Sequence, residues 1–385
     1  MIPYGRQDIN QSDCDAVVEV LRSDFLTQGP MVPRFEQALA ARVGASHAVA
    51  VNSATSALHI ACLSLELGPG DRLWTVPNTF VASANCGRYC GAEVDFVDID
   101  PRTYNLSTTA LATKLAEAER SGSLPKVLVT VHFAGQSCDM AAIQALARRY
   151  GIKIIEDGSH AVGGRYQGGE IGSCAYSDIT VFSFHPVKII TTGEGGMALT
   201  NDAQLATRMR RLRSHGITRD PDEMERHGEG AWYYEQFDLG LNYRMTDVQA
   251  ALGLSQYERL DEFLRRRRET ARKYDQLLAD LPLTLPFQRP DTESAFHLYV
   301  VQIDPAGTSI TRRVVFDGMR KAGVGVNVHY IPVHTHPYYL RRGFRLGQYP
   351  EAEKYYSRAM SIPMHAALST SDIDYVAAAL RQTLR

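Results

Sequence analysis

The sequence predicts an α/β protein: a large, mixed but mostly parallel sheet covered by helices, followed by a smaller C-terminal α+β part. Three observations carry this. Apolar, β-branched runs alternate with helix-period segments from Ala48 to Thr200, the pattern of strands buried on both faces. Prolines at 282, 286 and 290 then break a long charged helix, and the alternation stops. The chain of 385 residues, 44% apolar and 22% charged, is also long enough for two units of roughly one to two hundred residues each. The expected boundary falls near Ser255, dividing 1–255 from 256–385.

In chain order, a helix capped by Ser12 is expected to carry Val17, Val18 and Leu21 on its apolar stripe. Turn residues make Ser23 to Pro30 a loop, and a helix from about Val32 to Val43 stops at Gly44 in the left-handed role. Ala48 to Gly68 reads strand, polar turn, helix. Strands follow at Arg72 to Val76, Val94 to Asp98, Val127 to Val131, Lys153 to Glu156, Ile179 to Ser183 and Gly196 to Thr200. Between them lie helices near Val81 to Tyr89, Leu111 to Glu119 and Met140 to Tyr150. Asn201 and Asp202 cap the next helix, and the charged stretch from Ile217 to Phe237 reads as a long loop. A helix from about Tyr257 to Leu278 includes the basic run Arg265 to Arg268, read as a solvated face. The C-terminal part is expected to hold a strand from Phe296 to Ile303, a helix capped by Ser309 and ended by Gly323, a strand from Val324 to Val328, and a last helix after Ser369.

Composition excludes several functions. A formal charge of -2 without a basic stripe argues against a nucleic-acid partner. The six cysteines form no CxxC pair, which fits a reducing cytoplasm rather than a disulfide framework or a zinc site. His329, His334 and His336 have no carboxylate or cysteine at ligand spacing, so no metal is expected. No apolar run approaches membrane-spanning length, and MIPYGRQDINQSD lacks the pattern of a signal peptide, so a cytoplasmic protein is expected.

The chemistry centres on DITVFSFHPVKIITTGEGGM, Asp178 to Met197. Pro186 cannot join a sheet ladder, so the strand ends before it and leaves Lys188 on a turn at the strand's end, among Val187, Ile189 and Ile190. Desolvation there disfavours the ammonium form, and a neutral amine forms Schiff bases with carbonyls, of which pyridoxal 5'-phosphate is the commonest biological example. A lone lysine is more often simply a surface residue. Other stretches converge on the same strand edge. Asn52 to Ser56 opens a helix, which suits either plain capping by Ser53 or an anion such as a phosphate. Glu156 and Asp157 end a strand, where a carboxylate caps a turn or holds a cationic heterocycle nitrogen. Phe80 either packs in the core or stacks on a flat ring.

LTQGP, VNSATSALH, FVASAN, VDIDPRTYN, VHFAGQS, IEDGSHAVG, SFHPVK with TTGEGG, LGLNYRM and VHYIPVH occur in this order over nearly the whole chain. Together they resemble the sugar-nucleotide aminotransferases of the DegT/DnrJ/EryC1/StrS family. MIPYGRQ, LRSDFLTQGP and SFHPVK most resemble its branch in pseudaminic acid biosynthesis. The resemblance implies fold type I of the pyridoxal-phosphate enzymes, the aspartate aminotransferase-like fold. It makes Lys188 the Schiff-base lysine and acid/base, and Asp157 the partner of the pyridine nitrogen. Phe80 matches a ring-stacking position and His160 one beside the cofactor's 3-oxygen. Ala54, Thr55 and Ser183 match residues at the phosphate, joined by Asn242 from a neighbouring subunit of a homodimer. Tyr4, the loop Asp24, Phe25, Leu26 and Thr27, and the segment His329, Tyr330, Ile331 and Pro332 match sugar-nucleotide positions. The implied reaction moves an amino group, with glutamate as donor, to C4 of a UDP-linked 4-keto-6-deoxy-HexNAc, giving UDP-4-amino-4,6-dideoxy-N-acetyl-β-L-altrosamine. Another keto-sugar is the alternative. A sugar dehydratase or a non-catalytic scaffold is disfavoured, because Lys188 and Asp157 are both present.

Overall fold

The computed structural model describes residues 1–226 and 230–384; the part of the expected loop at 227–229 lies outside the described residues. Helices α1 (Gln11–Leu21) and α2 (Met31–Val43) lead into strand β1 (His47–Val51) and helix α3 (Ala54–Ser64). Then follow β2 (Arg72–Thr75), α4 (Ala82–Tyr89), β3 (Glu93–Phe96), α5 (Thr108–Ser121), β4 (Val127–Val131), α6 (Met140–Arg149) and β5 (Lys153–Asp157). The short β6 (Arg165–Tyr166) and β7 (Gly169–Glu170) precede β8 (Ile179–Ser183), β9 (Gly196–Thr200) and α7 (Ala203–Leu212).

β1 to β5, β8 and β9 make one sheet in the order β1-β9-β8-β5-β4-β2-β3. Strands β3, β2, β4, β5 and β8 run parallel, whereas β9 is antiparallel to both β8 and β1. The register aligns the strand ends that matter: Val131 opposes Asp157, Asp157 opposes Val181, and Ser183 and Val51 both oppose Gly196. Alternation along β8 and β9 divides their side chains between two cores. Ile179, Val181 and Ala198 join one, while Phe182, Met197 and Leu199 join the other with Phe35 of α2.

The expected loop after α7 contains two paired strands, β10 (Ile217–Thr218) and β11 (Glu235–Gln236). Helices α8 (Asp247–Glu258) and α9 (Leu260–Leu278) replace the single expected helix. Ser255, the expected boundary, lies inside α8, and the chain turns at Arg259. Leu260 and Phe263 of α9 pack in the main-sheet core, while Tyr274 and Leu278 pack in a third core. That third core includes residues of a small sheet, β12 (Leu283–Thr284), β14 (Tyr299–Ile303) and β15 (Ala359–Ile362), with β13 (Thr292–Glu293) pairing elsewhere, on β6. Helices α10 (Arg312–Lys321), α11 (Pro337–Leu340), α12 (Pro350–Arg358) and α13 (Thr370–Thr383) complete the chain.

Several local expectations are corrected. Asn10, not Ser12, caps α1, because Asp13 at the third helical position returns a bond to the Asn10 amide. Val20 is the valine of α1 that is buried, while Val18 and Leu21 are exposed on the single chain. Thr311, not Ser309, caps α10. Val324 to Val328 forms only isolated bridges, from Val324 to Ile2 and from Asn327 to Ser361. Arg267, expected on a solvated face, is 1% exposed. Its Nη1 donates to the carbonyls of Phe296 (3.1 Å) and Met364 (3.0 Å), so it ties α9 to the chain around β14 and β15.

Candidate active site

The carboxyl ends of β1, β5 and β8 open onto a cavity of about 980 Å³, lined among others by Asp157, His160, Ser183 and Lys188. Its size is at the upper end of the roughly 300–1,000 Å³ typical of small-molecule sites, and its position at the strand ends is where open α/β sheets bind ligands. β8 stops at Ser183. Beyond it, the Phe184 N–H donates to the Gly195 carbonyl (2.9 Å) and the Thr192 N–H to the Phe184 carbonyl (3.0 Å), closing a loop whose foot is the buried trio Phe184, Ile189 and Ile190. Lys188 sits within that loop. Among the described residues its Nζ has no hydrogen-bond or ion-pair partner, whereas Lys114, Lys126, Lys153 and Lys273 each meet a carboxylate. Burial pushes the Lys188 ammonium down to about 8, against the opposing pull of Asp157.

Asp157 ends β5 and is 5% exposed. Ser83 Oγ–H donates to its Oδ2 (2.7 Å) and the Ser159 N–H to its Oδ1 (3.1 Å), fixing the carboxylate at the cavity wall. The structure also separates the two acidic residues at this strand end. Glu156 accepts from Ser177 Oγ–H (2.5 Å) and pairs with His132 Nε2 (2.7 Å). It is held away from Lys188, as period-two alternation requires.

At the end of β1, Ser53 caps α3 by accepting from the Ser56 N–H (3.1 Å). The first amides of a helix have no partner inside it, and Ala54 and Thr55 line the cavity there. Gly196 makes this approach possible: a Cβ on it would stand 2.5 Å from Ala54 N and from Ser53 C. Ser183, also on the wall, is buried, and its hydroxyl has no hydrogen-bond partner among the described residues. Ser53 caps the helix, and the cap leaves Ala54 and Thr55 at the cavity wall, so it does not stand in the way of an anion there.

The opposite wall is aromatic. Phe80, just before α4, is 58% exposed, with its ring centroid 6.4 Å from that of Tyr330. Tyr330 Oη lies 3.0 Å from His160 Nε2, and Tyr4 packs 5.5 Å from His329. His329 Nδ1 is 2.8 Å from Ser361 Oγ. Burial and the nearby Lys188 hold His329 down to about 3 and His160 well below the imidazole range, so both rings are neutral at pH 7.

Other expected positions lie outside this cavity in the single chain. Asn242 is exposed and bridges Ser214 through its backbone; Thr246, with Gln249, caps α8 instead. Asp24, Phe25, Leu26 and Thr27 are exposed and tied to the start of α8, where the Asp247 N–H donates to the Leu26 carbonyl (3.0 Å). Ile331 is exposed, and Pro332 is buried away from the lining. Sequence reasoning missed Ser83, which reaches Asp157, and His297. The latter lines the cavity with its ring 4.4 Å from that of His160 and its Nδ1 buried without a partner. The signal for His297 was a histidine opening the apolar run HLYVVQI.

A free amine, a fixed carboxylate, a helix start with an unpartnered serine hydroxyl, and an exposed flat ring in one cavity fit pyridoxal 5'-phosphate: Schiff-base site, pyridinium partner, phosphate cradle and ring platform. The sequence matches the DegT/DnrJ/EryC1/StrS aminotransferase family over residues 7–381. It is 41% identical over 388 aligned residues to the spore coat polysaccharide biosynthesis protein SpsC of Bacillus subtilis, covering 100% of this chain and 97% of SpsC. Among solved structures it is similar to Helicobacter pylori PseC, an aminotransferase involved in the biosynthesis of pseudoaminic acid, with a TM-score of 0.90 and 31% identity over 100% of this chain and 99% of that one. It is likewise similar to the PLP-form of the putative sugar aminotransferase Spr1654 from Streptococcus pneumoniae, with a TM-score of 0.88 and 28% identity over 100% of both chains. No helix among the described residues is long and apolar enough to cross a membrane. The chain belongs to the DegT/DnrJ/EryC1/StrS family and is a sugar aminotransferase dependent on pyridoxal 5'-phosphate.

Proposed function

We propose that the protein transfers an amino group from L-glutamate to C4 of a UDP-linked 4-keto-6-deoxy-HexNAc, giving UDP-4-amino-4,6-dideoxy-N-acetyl-β-L-altrosamine for pseudaminic acid synthesis. The observation that carries the chemistry is the unpartnered Lys188 amine in the same cavity as the fixed Asp157 carboxylate. The likeness to PseC supports the choice of sugar. The cofactor, when bound, supplies an electron sink for the carbon losing its proton. Lys188 would hold it and move a proton through Nζ, a task suited to an amine that burial brings down to about 8. Asp157 would pair with the ring nitrogen and keep it protonated. Ala54, Thr55 and Ser183 would hold the phosphate, and Phe80 would offer the ring a platform. His160 would stand toward the 3-oxygen. Tyr4, His329 and Tyr330 form the wall toward the sugar nucleotide.

The remaining expected positions are reconciled by a homodimer with shared sites. Asn242 of the partner subunit would complete the phosphate site, and the partner's 24–27 loop would face the sugar nucleotide. Exposed Phe25, Leu26 and Leu239 on the single chain support an apolar contact here.

A second reading is favoured by the higher identity to SpsC: the same chemistry on another nucleotide-linked keto-sugar destined for a surface polysaccharide. Incubation with glutamate and a panel of UDP- and dTDP-linked 4-keto sugars, with products resolved by NMR for position and stereochemistry, separates the two. The first reading requires the altrosamine product to form fastest. Preference for a different sugar selects the second, and no amination of any sugar contradicts both.

A further inference from the structure

Three groups on the aromatic wall fix the direction of one proton. The Ala134 N–H donates to His160 Nδ1 (3.2 Å), so that nitrogen is an acceptor and carries no hydrogen. His160 is buried, and desolvation together with Lys188 and His329 keeps its ring neutral, so its single proton is on Nε2. Nε2 is 3.0 Å from Tyr330 Oη, which must therefore accept. Burial keeps the Tyr330 phenol protonated. Its own hydrogen then has no acceptor among the described residues, at the wall of the cavity that holds Lys188. Protonating His160 would set an Nδ1–H against the Ala134 N–H, so the imidazolium is excluded while that bond stands.

The surroundings hold this arrangement. The Tyr330 N–H donates to Asn78 Oδ1 (3.2 Å), and Tyr355 Oη–H donates to the His329 carbonyl (2.7 Å). His297 lies beside His160 with its ring tilted by 45°, without taking either of its nitrogens. Tyr330 is only partly buried and lines the cavity, so its free hydrogen is open to a bound molecule.

We propose that the Ala134–His160 pair makes Tyr330 a one-way donor whose O–H is reserved for an electron-rich oxygen of the bound molecule. His160 is then a positioning residue acting through Tyr330, not an acid or base. The oxygen belongs either to the cofactor's ring or to the keto-sugar. The identity of the bound molecule rests on the aminotransferase reading; the direction of the proton does not.

Two measurements test this. Nitrogen-15 NMR of histidine-labelled, cofactor-free full-length chain, with His160 assigned by its loss in His160→Gln, should show the neutral Nε2–H tautomer at pH 7. An Nδ1–H tautomer or an imidazolium overturns the proposal. Separately, Tyr330→Phe and His160→Leu should weaken one ligand to a similar degree, by about tenfold, the size of one lost hydrogen bond. A weaker dissociation constant for pyridoxamine phosphate, read by equilibrium dialysis, assigns the cofactor oxygen; a raised KM for the keto-sugar assigns the sugar oxygen. His160→Gln should restore the value to within about twofold, because its amide oxygen can accept from Ala134 while its NH2 donates to Tyr330. If Tyr330→Phe changes neither ligand, if His160→Leu behaves as wild type, or if His160→Gln is no better than His160→Leu, the relay is wrong. A wild-type chain that aminates no sugar would contradict the proposed function and leave the tautomer result standing.

Discussion

At the residue scale, Lys188 joins two properties that oppose each other: it is chemically useful because it is desolvated, and desolvation is destabilising for its charged form. Its pKa is depressed in the folded chain to about 8 from the ordinary lysine value, so the unfolded chain binds the extra proton more readily. The resulting penalty is fully present below pH 8 and is relieved as pH rises through 8 toward the unfolded value. Cofactor-free Lys188→Met is therefore expected to be more stable than wild type at pH 7, by on the order of 1–3 kcal/mol. That difference should shrink above pH 8 in parallel urea titrations; a gap that grows with pH would contradict the depressed amine. Asp157→Asn should keep the cofactor bound yet lower kcat by about a hundredfold or more, because Asn cannot stabilise a protonated ring nitrogen when charge develops. Steady-state turnover within a few-fold of wild type would remove Asp157 from the mechanism. Lys188 and Asp157 were legible in the sequence because Asp157 ends an apolar strand and Lys188 lies in the turn just past another, within motifs that recur in order along the chain. His297 and Ser83 were not, since their place at the site comes from packing between residues far apart in the chain.

At the scale of elements, the decisive contact is between β9 and the start of α3. Gly196 has no room for a side chain against Ala54 and Ser53, both of which meet it with backbone atoms that cannot swing aside. Gly196→Ala should push the α3 start out of place, costing about 1–3 kcal/mol in stability. Pyridoxal phosphate affinity should fall at least tenfold, read as a shifted midpoint in cofactor titration; unchanged affinity would show that the α3 start is not the phosphate site. The order of strands and helices was legible because period-two and helix-period patterns were strong. Caps were less so. Ser12 lost to Asn10, and Ser309 to Thr311, because the winner is the residue whose side chain reaches an amide two or three positions on, a geometric property shared by several nearby residues. Arg267 departs from expectation for the same reason: four successive arginines go round a helix, so one of them had to face inward, and its Nη1 donates to backbone carbonyls rather than to a carboxylate.

At the scale of the whole molecule, a single chain builds the Lys188 side of the site and leaves Asn242 and the 24–27 loop exposed at the start of α8. A shared site predicts complementation: inactive Lys188→Ala chains re-dimerised with inactive Asn242→Ala chains should regain activity, since one site per heterodimer keeps both residues. Heterodimers seen by native mass spectrometry without any recovered turnover would confine the site to one chain. The family was legible because many ordered motifs span the chain, whereas the sugar was not, because motifs that hold a cofactor do not specify the substrate beyond it. The central claim, that Lys188 is the amine that carries the cofactor, has a direct test. The protein as purified with pyridoxal 5'-phosphate is reduced with borohydride, digested, and mapped by mass spectrometry, alongside a Lys188→Ala variant checked for native circular dichroism. The reduced pyridoxyl group should be found on Lys188 alone, and the folded variant should lose both the label and the visible absorption of the bound cofactor. A label on any other lysine, or a variant that keeps it, would contradict the account.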